Sequence, residues 1–239
     1  MKLKTMNKTT RSNMITYGMV ILAFVAVQGQ LVPICAYIVM AISLNLTVGI
    51  LGELSLGHAG FMSAGAFSGV VVASCLSQNT DNEALILVIS MIVGGIVAAI
   101  VGFLVGVPVL RLSGDYLAIV TLAFGEIIKG IVNNLYVGLD AAGLHFSLVK
   151  NTVVMDGGNM LIDGPMGLTS IPRVGTFTAG FILIMLCLIV IFNLVNSKSG
   201  RAIMALRDNR IAAQSVGINV TNYKLMAFVI SAAMAGMAG

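Results

Sequence analysis

The chain lacks tryptophan and is poor in charge: of its 239 residues only 9% are Asp, Glu, Lys or Arg, whereas 58% are hydrophobic. A soluble domain is usually about 25% charged, and the mean hydropathy here is +1.03. A soluble core cannot bury this much apolar sequence, so the composition predicts a protein whose solvent is lipid. The three cysteines all lie inside apolar runs, which argues against a disulfide framework.

Residues that carry chemistry are also scarce. There are only two histidines, and neither has a carboxylate or cysteine at metal-ligand spacing. The sequence contains no phosphate-binding loop of the G-x-x-x-x-G-K-[ST] type and no nucleophile elbow. We therefore expect no metal, no cofactor and no catalytic activity in this chain, and any nucleotide would be bound by another chain. The net charge of +4 would suit nucleic acid, but the basic residues cluster beside the apolar runs, which is typical of membrane orientation instead.

Seven apolar runs approach the roughly 20 residues that a helix needs to cross the hydrocarbon. We predict an all-α fold, a polytopic transmembrane helical bundle formed as a single domain over residues 1–239. The basic start followed by an apolar run resembles a signal peptide, but we interpret it as a retained span. The last run stops at Gly239 without a polar tail, so we expect the chain to be truncated at its C-terminus. The predicted spans are 14–31, 34–51, 55–76, 84–107, 114–133, 175–195 and 223–239.

The distribution of Lys and Arg predicts which side each loop occupies. With the N-terminus inside, ten of the thirteen basic residues fall on inner segments and three on the outer side. This bias favours a cytoplasmic N-terminus, residues 1–13. It places the Gly-rich loop 134–173 outside the membrane, where we expect a short hairpin or helix, and the segment 196–222 in the cytoplasm. We call residues 196–222 the basic loop.

Glycines interrupt the second and third runs, and polar residues surround the interruption. Freed backbone groups at membrane depth are tolerated only where protein or water satisfies them. One interpretation is a broken helix that lines a translocation pathway. The other is a simple turn, in which Glu53 and Ser55 cap the next helix and His58 bonds to backbone. The glycines are Gly49, Gly52 and Gly57, and the polar residues include Asn45, Glu53 and His58.

A second polar group follows one stripe of the fifth run. At about 100° per residue, Asp115, Glu126, Lys129 and Asn133 share a narrow face. Glu126 and Lys129 are i,i+3 partners and are predicted to pair. Because charges facing lipid are costly, the stripe should face protein or water. It either lines the pathway, with Asp115 and Glu126 as candidates, or forms a structural pair near the outer interface.

The basic loop has the pattern of one or two short helices. Ser199 is a candidate N-cap for residues 200–207, and Asp208 or Asn209 for residues 209–217,. Gly217 suits the terminating C′ position. Thr221 or Asn222 is a candidate cap for the last span.

The loop contains small residues, which allow a partner to approach the backbone closely, and arginines, which can bind carboxylates. It could therefore dock on another protein or lie as an amphipathic helix on anionic lipid. The candidate docking residues are Arg201, Arg207, Arg210, Ala212, Ala213 and Gly217.

The spacing of Ala212, Ala213 and Gly217 resembles the cytoplasmic E-A-A-x-x-x-G loop of ABC-transporter permeases. Here Ile211 stands where that family has glutamate. Longer segments, in order, look like the M-type permease subunit of branched-chain amino-acid ABC importers. These segments are 44–67, 114–127, 164–173 and 200–232.

The resemblance implies a subunit in the bacterial inner membrane, surrounded by membrane lipid. It would pair with a homologous second permease, dock on cytoplasmic ABC ATPase subunits and receive Leu, Ile or Val from an extracytoplasmic binding protein. The rival hypothesis is a stand-alone secondary transporter of small hydrophobic solutes, coupled to Na⁺ or H⁺ through Glu53, Asp115 or Glu126. A membrane enzyme has no supporting constellation of residues.

Overall fold

The computed structural model describes residues 31–78, 80, 82–109, 112, 114–140, 143–147, 159–168 and 175–239. Six segments in these ranges are long and apolar enough to cross a membrane, and each coincides with a predicted span to within a few residues. The predicted first span, 14–31, and the basic segment 1–13 lie outside the described residues, apart from Leu31. The polytopic helical bundle is confirmed.

Eight α-helices and three strands make up the described fold. Helix α1 continues into a π-helical turn, Leu46–Leu51, and a single 3-10 turn, Gly164–Met166, follows the last strand. The helices are α1 (Leu31–Asn45), α2 (His58–Ser77), α3 (Glu83–Val109), α4 (Asp115–Asn133), α5 (Phe177–Asn196), α6 (Lys198–Asp208), α7 (Arg210–Ser215) and α8 (Val220–Ala238). The strands are β1 (Tyr136–Asp140), β2 (Gly143–Ser147) and β3 (Asn159–Asp163).

Helix α8 is the centre of the bundle. Half of its span is buried, whereas the other five spans are 17–33% buried. It packs on α1, α2 and α3 and separates two apolar clusters. One cluster contains Phe61 and Phe228, whose rings meet edge to face with centroids 5.4 Å apart. The other contains Leu183 and Met234 and joins α8 to α1 and α5.

Small residues let α8 occupy this position. A Cβ on Gly65 of α2 would overlap the carbonyl oxygen of Gly236 in α8, and a Cβ on Gly94 of α3 would lie 2.9 Å from the Gly65 carbonyl oxygen. Three helices therefore meet through their backbones at one crossing. Van der Waals packing of this kind replaces the hydrophobic effect in holding helices together inside lipid.

The three strands form an antiparallel sheet in the order β2-β1-β3, which confirms the hairpin expected in the loop 134–173. Its buried side chains, Val137, Leu161 and Ile162, pack against Phe67 and Val71 of α2. The sheet lies at one end of the bundle, which we call the sheet end. The basic loop and residues 46–57 lie at the opposite end, the loop end.

Candidate functional site

Residues 46–57 at the loop end form an interrupted helix, which we call the broken segment. The π-helical turn ends at Gly52, whose φ of +79° is strained for residues with a side chain,. Both Gly52 and Glu53 donate their backbone N–H groups to the Thr47 carbonyl oxygen. Helix α2 then begins after Gly57. The predicted interruption is confirmed, and protein groups accept the N–H groups of Gly52, Glu53 and Leu56.

Glu53 and Lys224 form an ion pair between the broken segment and the start of α8. Their side chains are only 14% and 4% exposed. The alternative in which Glu53 caps α2 is wrong, because the N-cap is Gly57 and no side chain caps it. The pair is missing from the sequence-based prediction, because in the sequence Lys224 is simply a basic residue that flanks a span.

His58 lies in a buried polar cluster that joins three helices. Its Nε2 is 2.8 Å from Ser43 Oγ in α1 and 3.4 Å from Ser231 Oγ in α8, and Ser231 Oγ donates to the Ser43 carbonyl oxygen at 2.5 Å. The expectation that His58 bonds to backbone is wrong, because its neighbours are hydroxyl groups. Among the described residues, His58 Nδ1 and Ser55 Oγ are buried without a hydrogen-bond partner.

Helix α4 crosses the broken segment at Thr121. The Thr121 hydroxyl accepts the Leu56 N–H at 3.1 Å and donates to the Ala118 carbonyl oxygen at 2.9 Å. A Cβ on Gly57 would overlap the Thr121 carbonyl oxygen, and one on Gly125 would lie 3.2 Å from Gly57 Cα. Thr121 is not among the predicted residues because its partner is 65 residues away.

The predicted Glu126–Lys129 pair is confirmed, with Lys129 Nζ 3.2 Å from Glu126 Oε2. Both side chains are about two-thirds exposed, at 65% and 64%. They lie beside a groove of 270 Å³ between α2 and α4. We call it the α2–α4 groove. Its lining residues are Leu56, Gly57, Ala59, Gly60, Ser63, Leu122, Gly125, Glu126 and Lys129.

The pathway candidates Asn45, Glu53 and His58 do not line this groove. Asn45 is exposed at the end of α1, with its side chain close against Gly49. Asp115 is the first residue of α4, and its side chain is outside the described residues. Among the side chains that the structure describes, Asn45, Glu53, His58 and Glu126 thus do not form one cluster.

The basic loop folds as two short helices, as predicted, but two of the caps differ. Ser197, not Ser199, caps α6 by accepting the Gly200 N–H. Asn219, not Thr221 or Asn222, caps α8. Asn209 caps α7 as predicted, accepting the N–H groups of Ile211 and Ala212 at 3.0 Å.

Gly217 ends α7 in the predicted way, with a φ of +85°. Its N–H reaches the Gln214 carbonyl oxygen at 3.0 Å, and the Ile218 N–H reaches the Ala213 carbonyl oxygen at 3.1 Å. This pair of bonds is the Schellman motif. Gly217 is needed for the turn, and no atom lies within 4 Å of where a Cβ would be.

The structure divides the predicted docking residues into two groups. Arg207 Nη1 donates to the Gly49 carbonyl oxygen at 2.5 Å, and Ala213 is buried against Leu206 and Val220. These two residues therefore hold the loop onto the bundle. Arg207 is itself exposed, and so are the remaining four, which are Arg201, Arg210, Ala212 and Gly217.

Two exposed apolar residues in the same loop are absent from the predicted docking set. Ile211 is 79% exposed and Val216 is 75% exposed. In the sequence, Ile211 stands out only because it replaces the glutamate of the E-A-A-x-x-x-G pattern. The signal that could have identified both is an apolar residue on the polar face of a short helix.

Within the described residues, no three His, Cys, Asp or Glu side chains could hold a metal ion. The contacts at the loop end instead join separate segments of the chain to one another. Arg207 and Lys224, which flank α7, both bind the broken segment. The basic loop and the start of α8 are therefore both joined to the broken segment.

Comparison with known proteins finds a matching family and curated relatives. The family described as "Branched-chain amino acid transport system / permease component" matches residues 27–239. The chain is 36% identical over 222 residues to the "High-affinity branched-chain amino acid transport system permease protein LivM" of Escherichia coli (strain K12), which covers 85% of this chain and 49% of that protein. LivM of Salmonella typhimurium (strain LT2) matches with the same identity and coverage.

The chain spans about half the length of the curated relatives it matches. No solved structure matches it. The family match extends over nearly all of the chain and includes both the broken segment and the basic loop. The chain therefore belongs to the permease family of branched-chain amino acid transport systems.

Proposed function

We propose that the chain is a transmembrane permease subunit of an ATP-driven importer of branched-chain amino acids in the bacterial inner membrane. It forms part of the translocation pathway and performs no chemistry. Its partners are a homologous second permease, cytoplasmic ABC ATPases that dock on the basic loop, and an extracytoplasmic binding protein. The relatives' names support the transported class. The observation that carries the mechanism is the fold of the basic loop. One side of the loop is exposed, and on the other side Arg207 and Ala213 contact the bundle.

The exposed side of the basic loop suits a protein partner better than water. Ile211 and Val216 would bury apolar surface on docking, at about 25 cal/mol per Å². Ala212 and Gly217 carry little or no side chain, so a partner can approach the backbone. Arg201 and Arg210 can bind carboxylates at the rim, where charged pairs steer association. Ala213 packs α7 against Leu206 and Val220.

A cytoplasmic position for the loop end follows from the charge bias. The basic loop carries Lys198, Arg201, Arg207 and Arg210, and Lys224 follows it. Short loops rich in Lys and Arg stay on the cytoplasmic side. The sheet end then faces outward, where a binding protein delivers substrate.

Movement of the ATPases would reach the pathway through two contacts. Arg207 binds the Gly49 carbonyl oxygen, and Lys224 binds Glu53. Because α8 packs on three other spans, a tilt of α8 changes the interfaces around it. The bundle would alternate between outward and inward openings, with residues near Asn45, Glu53, His58, Asp115 and Glu126 along the route.

Gly217→Trp tests the docking claim, with Gly167→Trp as a matched control. Gly217 and Gly167 both have positive φ, +85° and +73°, and at neither does any atom lie within 4 Å of the position that a Cβ would take. Both substitutions strain the backbone, at opposite ends of the bundle, and the control is the more severe one because Gly167 combines its positive φ with a ψ of −139°, a region that essentially only glycine adopts,. In the intact native subunit expressed with its neighbours, we expect Gly217→Trp to abolish co-purification of the ATPase and ATP-driven leucine uptake.

We expect Gly167→Trp to retain the ATPase. Equal retention of the ATPase and of uptake by both variants would contradict docking at the basic loop. Uptake that needs no nucleotide, and that stops when the Na⁺ or H⁺ gradient is collapsed, would favour the ion-coupled secondary transporter instead.

A further inference from the structure

The α2–α4 groove combines a backbone floor, apolar walls and one charged edge. The floor is open because glycines meet there: a Cβ on Gly60 would lie 3.3 Å from Gly125 Cα. Leu56 and Leu122 flank the groove and are 52% and 48% exposed. The groove, at 270 Å³, approaches the size of small-molecule sites, about 300–1,000 Å³.

The charged edge is unusual for its depth. Glu126 and Lys129 precede the end of α4 at Asn133 by about 10 and 6 Å along the helix, at 1.5 Å per residue. A carboxylate at the depth of Glu126 rarely faces lipid; it faces a cavity, a pathway or a partner charge. Here the two satisfy each other only in part, since both remain about two-thirds exposed. Each charge therefore has room for a second partner.

We propose that this groove binds a free zwitterionic α-amino acid with an aliphatic side chain. The Glu126 carboxylate receives the α-ammonium, Lys129 Nζ binds the α-carboxylate, and the side chain lies against Leu56 and Leu122. The proposal deepens the proposed function, on which it rests, by giving the transported class a site.

The charges of such a ligand complement those of the groove. The Glu126–Lys129 pair has no net charge, and neither has a zwitterion, so each of the four charges can lie beside an opposite charge. Charge-assisted hydrogen bonds are the strong ones, and a zwitterion can make one with each member of the exposed pair. An aliphatic amine or a fatty acid of the same shape would leave one groove charge unpaired. The groove should therefore discriminate against both.

Protection from a thiol reagent tests occupancy directly. Ser63 lines the groove and is half-buried. In the intact permease–ATPase complex with Cys75 replaced by serine, we expect Ser63→Cys to react with N-ethylmaleimide. Saturating leucine should slow this reaction at least tenfold, whereas 3-methylbutylamine and 4-methylpentanoate, which each lack one leucine charge, should not. Labelling that leucine does not slow would overturn the site. So would a thiol that is unreactive with and without leucine, since a partner helix would then fill the groove.

Charge variants test which residues recognise the ligand. Glu126→Gln and Lys129→Met should each raise the leucine concentration for half-protection at least tenfold, as expected for the loss of one charge-assisted hydrogen bond. Glu83→Gln, an exposed carboxylate at the start of α3, is the matched control and should leave protection unchanged. Wild-type protection in either groove variant would exclude that residue from recognition.

The swapped pair, Glu126→Lys with Lys129→Glu, separates recognition from support of the helix. It retains an i,i+3 ion pair but reverses the order of charge along α4. An L-amino acid then cannot pair both charges and keep its side chain on Leu56 and Leu122, so we expect protection to stay weak. Full recovery would mean a structural pair only. ATPase co-purification and leucine uptake are measured in parallel. If the wild type neither retains the ATPase nor takes up leucine, the proposed function is overturned. Normal uptake together with wild-type protection in the groove variants overturns only this site.

Discussion

Removal of either member of the Glu53–Lys224 ion pair is expected to destabilise the bundle strongly. The pair joins the broken segment to the central helix, and its side chains are 14% and 4% exposed. Glu53→Gln leaves the Lys224 ammonium buried beside a neutral amide. Lys224→Met leaves the Glu53 carboxylate without its cation. In both variants a charge remains in a site that water scarcely reaches.

The size of the effect follows from that burial. Breaking a buried ion pair by removing one partner costs about 3–5 kcal/mol. For a chain of this size each kcal/mol shifts the unfolding midpoint by about 2–4 °C, so each single variant should lose roughly 6–20 °C on these figures. The double variant has no buried charge. Replacing a whole buried pair by neutral groups is often harmless or stabilising, so it should recover at least half of the loss.

Thermal unfolding of the detergent-solubilised protein, monitored by size-exclusion chromatography, measures these midpoints. The exposed pair is the control: Glu126→Gln should change the midpoint far less, because an exposed ion pair contributes little. If the two single losses simply add in the double variant, the residues do not interact and the reasoning is refuted. Single variants as stable as the wild type would refute it equally.

Three further outcomes are expected. Gly236→Ala should lower the midpoint because its methyl would overlap Ala98 Cβ. Gly130→Ala, with no atom within 4 Å of the added methyl, should raise stability by up to about 1 kcal/mol. The reverse order, measured by the same unfolding assay, would contradict the packing of α8. Ile211→Ala, which removes most of an apolar side chain that is 79% exposed, should weaken ATPase co-purification without changing the midpoint; wild-type retention of the ATPase would exclude Ile211 from the contact. Ser215→Cys, in the exposed basic loop, should react with an impermeant thiol reagent only from the cytoplasmic side, and labelling of intact cells would reverse the topology.

Local features were predictable because their partners are close in the chain. The Glu126–Lys129 pair follows from i,i+3 spacing alone. Asn209 and Gly217 were placed correctly because an N-cap and a left-handed C′ residue need particular residue types. The N-cap of α8 was missed because Asn219 competes with two similar candidates close by, and only the backbone path decides which one has extended dihedrals.

Contacts between distant segments could not be predicted in the same way. Glu53 meets Lys224 across 171 positions, Ser231 meets Ser43 across 188, and Arg207 meets Gly49 across 158. Polar groups inside a membrane need partners. The sequence does not show which partner each group takes, because many pairings satisfy that rule. The burial of Ala213 was missed for the same reason, since a small residue suits either an interface or a core.

The amino-acid sequence alone determined the solvent of this protein, the position of its spans and the interruption at residues 46–57, because hydrocarbon thickness and backbone satisfaction act on each segment separately. The arrangement of those segments was decided only in three dimensions. The glycine crossing places α8 at the centre, and that placement brings Lys224 to Glu53 and His58 to Ser231. Inside lipid, apolar residues do not choose among neighbours by hydrophobicity, so close packing and polar pairing select the arrangement.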